Sequence, residues 1–257
     1  MTEIKLKLDL SVERNAGLYY EEAKKVRKKV EGAKEALEES HAALEKLEKQ
    51  AQEEEKKIVK KQALKQEWYH KFRWFITSDS FFVIGGRDAT TNEIIVKKHC
   101  QKDDFVFHTD MAGSPFFVIK AEGKKISDAA IKEAADATIS YSKAWQKGLT
   151  TTPVFYVKPE QVTKEAKSGE YLVKGAFVIK GKVNYVENKV NLALGMYKDG
   201  HIMGGPVEAV SKHCASFVRI RQGNEKTSAI AKKIQKKLGG DLDEIIRSIP
   251  AGGVELE

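Results

Sequence analysis

From Val12 to Ala51, small or apolar residues recur at alternating steps of four and three. They are Val12, Ala16, Tyr19, Ala23, Val26, Val30, Ala33, Leu37, Ser40, Leu44, Leu47 and Ala51, and charges fill nearly everything between them. That spacing keeps one narrow stripe on one side of an α-helix, which is the seam of a coiled coil rather than the broad face of a core helix. At 1.5 Å per residue such a helix is about 60 Å long, and no proline interrupts it. No second stretch of comparable length exists in the chain, so the seam lacks a partner within it. Tyr19, Val26, Val30, Leu37, Leu44 and Leu47 are therefore expected in a contact between two copies, a homodimer.

After Trp68 the helical period gives way to short β-like runs: Phe81–Ile84, Ile94–Lys98, Phe105–Thr109, Phe116–Lys120, Val154–Lys158, Ala176–Lys180, Leu192–Met196 and Ser216–Ile220. A helix capped by Ser127 interrupts them, its face outlined from Ala129 to Trp145. Pro206 to His213 reads as a short helix. Thr227 to Leu238 reads as a basic amphipathic one, ended by Gly239-Gly240, with Asp241 capping a last helix to Ile249. No βαβ rhythm repeats. The expected fold class is α+β: a mixed, mostly antiparallel sheet with few helices, preceded by a long coiled-coil helix. The expected domains are residues 1–67 (the helix, with a short N-terminal strand), 68–185 (a globular domain) and 186–257 (an α/β extension of the same unit).

Charge narrows the function. The chain carries a net charge of +8, and +7 of it falls in residues 68–257, which favours a polyanionic partner. Residues 68–89, WYHKFRWFITSDSFFVIGGRDA, interleave aromatic rings with Lys71, Arg73 and Arg87. Rings stack on bases and cations neutralise phosphates, although rings in such a run also serve to lock a helix end onto a sheet. Cys100 and Cys214 are the only cysteines and lie far apart, so neither a disulfide framework nor a zinc site is indicated. No metal and no cofactor is expected. There is no run of 18 or more apolar residues and no signal-peptide core at the start. A cytoplasmic protein with no membrane partner is the expectation.

The order of motifs resembles the NFACT-R domain, the RNA-binding module of the NFACT family of ribosome-associated quality-control factors. The likeness runs from Trp68 through His108-Thr109-Asp110-Met111-Ala112-Gly113-Ser114, Ser140-Tyr141-Ser142-Lys143-Ala144-Trp145 and Gly169-Glu170-Tyr171-Leu172 to Gly175-Ala176-Phe177-Val178-Ile179-Lys180-Gly181-Lys182. Ala112 stands where many members have a second histidine, which removes any chemistry attached to that ring. Leu8-Asp9-Leu10-Ser11, Asn15-Ala16 and Tyr19-Tyr20 resemble the start of the helix that leads into NFACT-R, and the tail has an archaeal flavour. The resemblance implies a factor that works on stalled large ribosomal subunits, holds tRNA and promotes untemplated tailing of the stalled peptide. The residues tied to tRNA choice lie in another domain of that family, so tailing by this chain alone is not expected. The likeness also implies either a fragment or a short relative.

The RNA-contacting set expected on this basis is Arg73, Arg87, Lys97, Lys98, His108, Lys120, Lys143, Lys180 and Lys182, gathered at the ends of adjacent strands. Lys56–Lys65 and Lys232–Lys237 are secondary candidates. Trp68, Trp74, Asp88, Asp110 and Trp145 are expected to support the site, with Asp110 bracing Arg87 or His108. Gly85-Gly86 reads as a hairpin turn before it reads as a phosphate cradle. A hydrolase acting on RNA or DNA through His108, Asp110 and Arg87 is the alternative function. It is weakened by the absence of a third carboxylate or histidine at ligand spacing. A plain coiled-coil oligomerisation protein would explain residues 12–51 but leave the globular part idle.

Overall fold

The computed structural model describes residues 4–165 and 172–257, with the backbone alone for residues 49–63. The seam beyond residue 48, the side chains of the 56–63 segment and residues 169–171 of the Gly169-Glu170-Tyr171-Leu172 motif thus lie outside the described residues. Two compact units divide the chain, residues 1–63 and 64–257.

The first unit is one helix, α1 (Val12–Ala63). Ser11 starts it by accepting the Arg14 N–H. Val26, Val30, Leu37, Leu44 and Leu47 all lie exposed along it, as the seam requires. The segment before it forms no strand over residues 4–7. Its backbone is satisfied by side chains instead: the Lys7 N–H and C=O bond to the carboxamide of Asn15, and the Lys5 N–H and C=O to the Tyr19 hydroxyl. Asn15 is buried by this clasp, and the Tyr19 hydroxyl is spent on it.

The second unit runs β1 (Arg73–Ile76), β2 (Phe82–Gly85), α2 (Ala89–Ile94), β3 (Phe105–Thr109), β4 (Phe117–Lys120), α3 (Asp128–Ser140), α4 (Lys143–Gln146), β5 (Val154–Val157), β6 (Val162–Thr163), β7 (Val178–Ile179) and β8 (Asn184–Val186). It continues with β9 (Leu192–Met196), β10 (Ile202–Gly205), α5 (Val207–His213), β11 (Phe217–Glu225), α6 (Thr227–Leu238), α7 (Leu242–Ser248) and β12 (Val254–Leu256). Six strands form a sheet in the order β1-β2-β4-β3-β5-β8, four another in the order β10-β9-β11-β12, and β6 and β7 pair separately. The fold is α+β, and every pairing among the described strands is antiparallel.

Helix α3 packs on β3 and β4. Ser127 caps it, and buried Ala130, Ala134, Ala135 and Ala137 let it lie close to the sheet. It ends before Trp145 rather than at it. Ser142 accepts the Ala144 N–H and starts α4, which buries Trp145 so that its indole N–H reaches the Gly253 carbonyl at 3.0 Å. The Ile94–Lys98 segment is helical, not a strand: α2 runs on through a π-helical turn, Ile95–His99. The local cap at Asp88 and the complete burial of Ile95 outweigh its β-branched residues. The hairpin between β1 and β2 turns at Ser80, in the left-handed region at φ 66°, and not at Gly85-Gly86. Of the Ala176–Lys180 run only Val178 and Ile179 pair.

Candidate nucleic-acid interface

The ends of β1 and β2, the start of α2, the β3–β4 loop, α4 and residues 173–179 enclose a cleft of about 550 Å³. Arg73, Arg87, Lys143 and Lys174 line it, and Asp88 is the one carboxylate among the described lining residues. None of the four cations pairs with a described carboxylate. Asp88 is occupied as the N-cap of α2, where its carboxylate accepts the Thr91 N–H at 2.8 Å. That role holds its pKa below the ordinary carboxyl value and keeps it ionised.

Arg73 lies at the floor. Its Nη1 donates to the Gly86 carbonyl at 2.6 Å, its guanidinium sits 4.5 Å from the Tyr141 ring centroid, and its buried Nε has no partner. Burial is the main cause that pulls its pKa down to about 10, with the Arg87 charge adding to the fall and the Tyr141 hydroxyl opposing it. At neutral pH it stays charged; Asp88 acts on it through space without forming an ion pair, and a partly dehydrated guanidinium with no direct carboxylate partner attracts an anion. Arg87 donates to the Lys71 carbonyl at 3.2 Å. Burial lowers its pKa first, and Arg247 of α7 lowers it further, so a further positive charge stands nearby.

Two glycines set the shape of the cleft. A side chain at Gly86 would meet the Asn92 amide, whose oxygen accepts the Phe116 N–H at 3.1 Å and fixes the cleft wall. Gly113, at φ 85°, lets the Lys143 stem cross the β3–β4 loop; a Cβ there would fall 2.5 Å from Lys143 Cε. Gly85-Gly86 is therefore neither a hairpin turn nor a phosphate cradle, but a place of close backbone approach.

His108 also faces the cleft. Its Nδ1 lies 2.7 Å from the Thr109 carbonyl and its ring 4.3 Å from that of Phe116. Burial holds its pKa below the usual histidine value, against the opposing pull of its main-chain hydrogen bonds and Asp110. The ring is neutral at physiological pH. Asp110 does not brace Arg87 or His108: it accepts the Tyr185 hydroxyl at 3.2 Å and does not line the cleft. The His108–Asp110–Arg87 arrangement that a hydrolase would need is not assembled. Among the described residues no three His, Cys, Asp or Glu side chains are grouped to hold a metal.

The remaining expected contacts lie elsewhere. Lys120 is engaged by buried Asp104 and donates to the His99 carbonyl at 2.7 Å. Lys97 lies 3.7 Å from Glu93, and Lys180 pairs with Glu165. Lys98 and Lys182 are exposed and outside the cleft lining. Trp68 stacks on His99 at 4.4 Å, and Trp74 is buried against Tyr69 and Tyr197. Sequence reasoning did not single out Tyr141 as the platform under Arg73, nor Lys174. Tyr141 stood in a quoted motif, and Lys174 lies between two of them, after Leu172 and before Gly175.

The family model described as NFACT protein RNA binding domain matches residues 71–181, which supply all of the cleft lining but Ala251. The chain carries an NFACT-R domain. It is 39% identical over 216 residues to the archaeal Rqc2 homolog aRqcH of Methanocaldococcus jannaschii, covering 81% of this chain and 31% of that protein. It is 36% identical over 203 residues to the ribosome quality control complex subunit NEMF homolog of Drosophila melanogaster, covering 76% and 20%. The chain thus spans under a third of the length of these relatives. A solved structure, the C-terminal part of a fibronectin/fibrinogen-binding protein from Streptococcus suis, is similar at TM-score 0.39 and 19% identity, over 49% of this chain and 47% of that one. No helix among the described residues is long and apolar enough to cross a membrane.

Proposed function

We propose that this chain is the RNA-binding, ribosome-docking part of a cytoplasmic ribosome quality-control factor, and that it acts by holding tRNA and the large subunit rather than by catalysis. The observation that carries the reading is the cleft built mostly from the NFACT-R match, where four cations stand without an ion pair among the described residues. Residues 68–185 supply the RNA surface on this view, and 186–257 extend the same unit. Labelled tRNA tests it. At low salt the protein should retain tRNA and co-sediment with large subunits, and deleting residues 1–56 should preserve most of the affinity. No retention at low salt by either form would refute the proposal. Metal-dependent cleavage of the tRNA that disappears in both His108→Ala and Asp110→Asn would replace it with the hydrolase reading.

The exposed seam of α1 is proposed to pair with the same helix of a second copy when the rest of the family architecture is absent. An apolar stripe that long exceeds what a monomer normally leaves in water. Analytical ultracentrifugation at micromolar concentration should give a dimer that Leu37→Glu with Leu44→Glu splits into monomers. A fully helical wild-type monomer would contradict the pairing.

A further inference from the structure

The shape and lining of the cleft say more than that it is basic. A duplex presents phosphates on a broad convex surface, and such a surface does not reach the floor of a cleft. Arg73 is at that floor, on the Tyr141 ring, with an orphaned Nε. The same lining includes an apolar set: Pro115, Phe116, Phe177 and Ile179. Phe177 is partly exposed, braced edge-on by Phe116 at 5.3 Å between ring centres, with Lys164 Nζ 4.9 Å from its ring centroid. The segment carrying Phe177 is held in place from α2, where Glu93 accepts the Gly175 N–H at 3.3 Å and pairs with Lys164. Cations and a braced ring lining one space within the 300–1,000 Å³ range of small-ligand pockets suit a group that carries both an anion and a flat ring.

We propose that the cleft takes one unstacked nucleotide of a single-stranded RNA segment, its phosphate on Arg73, Arg87 and Lys143 and its base against Phe177. The inference rests on the RNA-binding reading and narrows it from RNA in general to a splayed-out nucleotide, the form in which a base face becomes available for stacking. Lys174, exposed and in the same lining, would meet a neighbouring phosphate of the strand.

The test compares a fluorescent oligouridylate with a duplex RNA of equal length by anisotropy at one salt concentration, using the full chain. The single strand should bind at least about tenfold more tightly. AMP should displace it and adenosine should not, because the phosphate supplies the contact. Phe177→Ala should lower single-strand affinity by about tenfold and leave duplex affinity unchanged, while Phe177→Tyr restores it. Since Phe177 is packed on Phe116, Lys143→Glu on the exposed rim provides a second variant, which should weaken displacement by AMP. Equal binding of duplex and single strand, with no effect of Phe177→Ala and no displacement by AMP, overturns the nucleotide site while leaving RNA binding intact. Failure of both RNAs to bind at low salt overturns the RNA reading and the site with it.

Discussion

Replacing Asp104 by alanine is expected to cost the second unit about 3–5 kcal/mol of folding stability, the usual loss when one partner of a buried ion pair is removed. The Asp104 side chain is fully buried, and that of Lys120, which it pairs with, is 11% exposed. The same carboxylate accepts the Gln101 and Ala121 N–H groups at 2.8 and 2.9 Å. Alanine would therefore strand two main-chain donors and leave the Lys120 ammonium with the His99 carbonyl alone. Because β4 lies in the middle of the six-stranded sheet, between β2 and β3, the damage would spread through the unit. Urea unfolding followed by tryptophan fluorescence measures it, and a loss below about 1 kcal/mol would show that water reaches this pair. Lys120→Met combined with Asp104→Leu should recover only the part due to the uncompensated charge, because the Gln101 and Ala121 N–H groups still lack their acceptor. Lys120→Met is therefore expected to register in stability more than in RNA affinity.

The second large effect concerns binding. Arg87→Glu combined with Lys143→Glu is expected to weaken single-stranded RNA binding by about 100-fold or more at low salt. Each charge-assisted hydrogen bond lost is worth about 1.5–3 kcal/mol, and 1.4 kcal/mol is a factor of ten. Both side chains are at least partly exposed and neither is ion-paired among the described residues, so the fold should survive; an unchanged thermal melt would verify this. Arg73 is unsuited to such a test. Its stacking on Tyr141 and its bond to the Gly86 carbonyl tie it to the packing, so its removal would mix folding with binding.

Much of this architecture is legible in local sequence. The α1 seam follows from a strict period, α3 and α7 from the caps Ser127 and Asp241, and β3 and β9 from apolar runs of strand length. What escaped depends on distant partners. Strand β10, Ile202–Gly205, is half glycine and becomes a strand through pairing with β9. Strand β1 overlaps the end of the aromatic run of residues 68–75, where the composition drew attention to stacking, and its four residues show no alternation of burial that would mark a strand. Ile94–Lys98 has the composition of a strand, but a capping box begins a helix before it.

The candidate site divides in the same way. Arg73, Arg87, His108 and Lys143 are readable as basic residues in motifs, and the fold brings them to one cleft. The charge on Lys120 is taken up by a residue 16 positions away, which no local pattern reveals. The role of Asp110 fails for a related reason. Its neighbour in space is Tyr185, delivered by β8 at the sheet edge, a strand too short and too polar to be read from its own residues.

The central claim is that the Arg73–Arg87–Lys143 cleft is where this chain meets RNA phosphate. The salt dependence of affinity for labelled tRNA, measured side by side for the wild type and the Arg87→Glu, Lys143→Glu protein, tests it most directly. Wild-type affinity should fall steeply with salt, and the variant's log–log slope should be shallower by about 2, one for each phosphate contact removed. Identical slopes and affinities in the two proteins would place the RNA contact elsewhere on the chain and contradict the account.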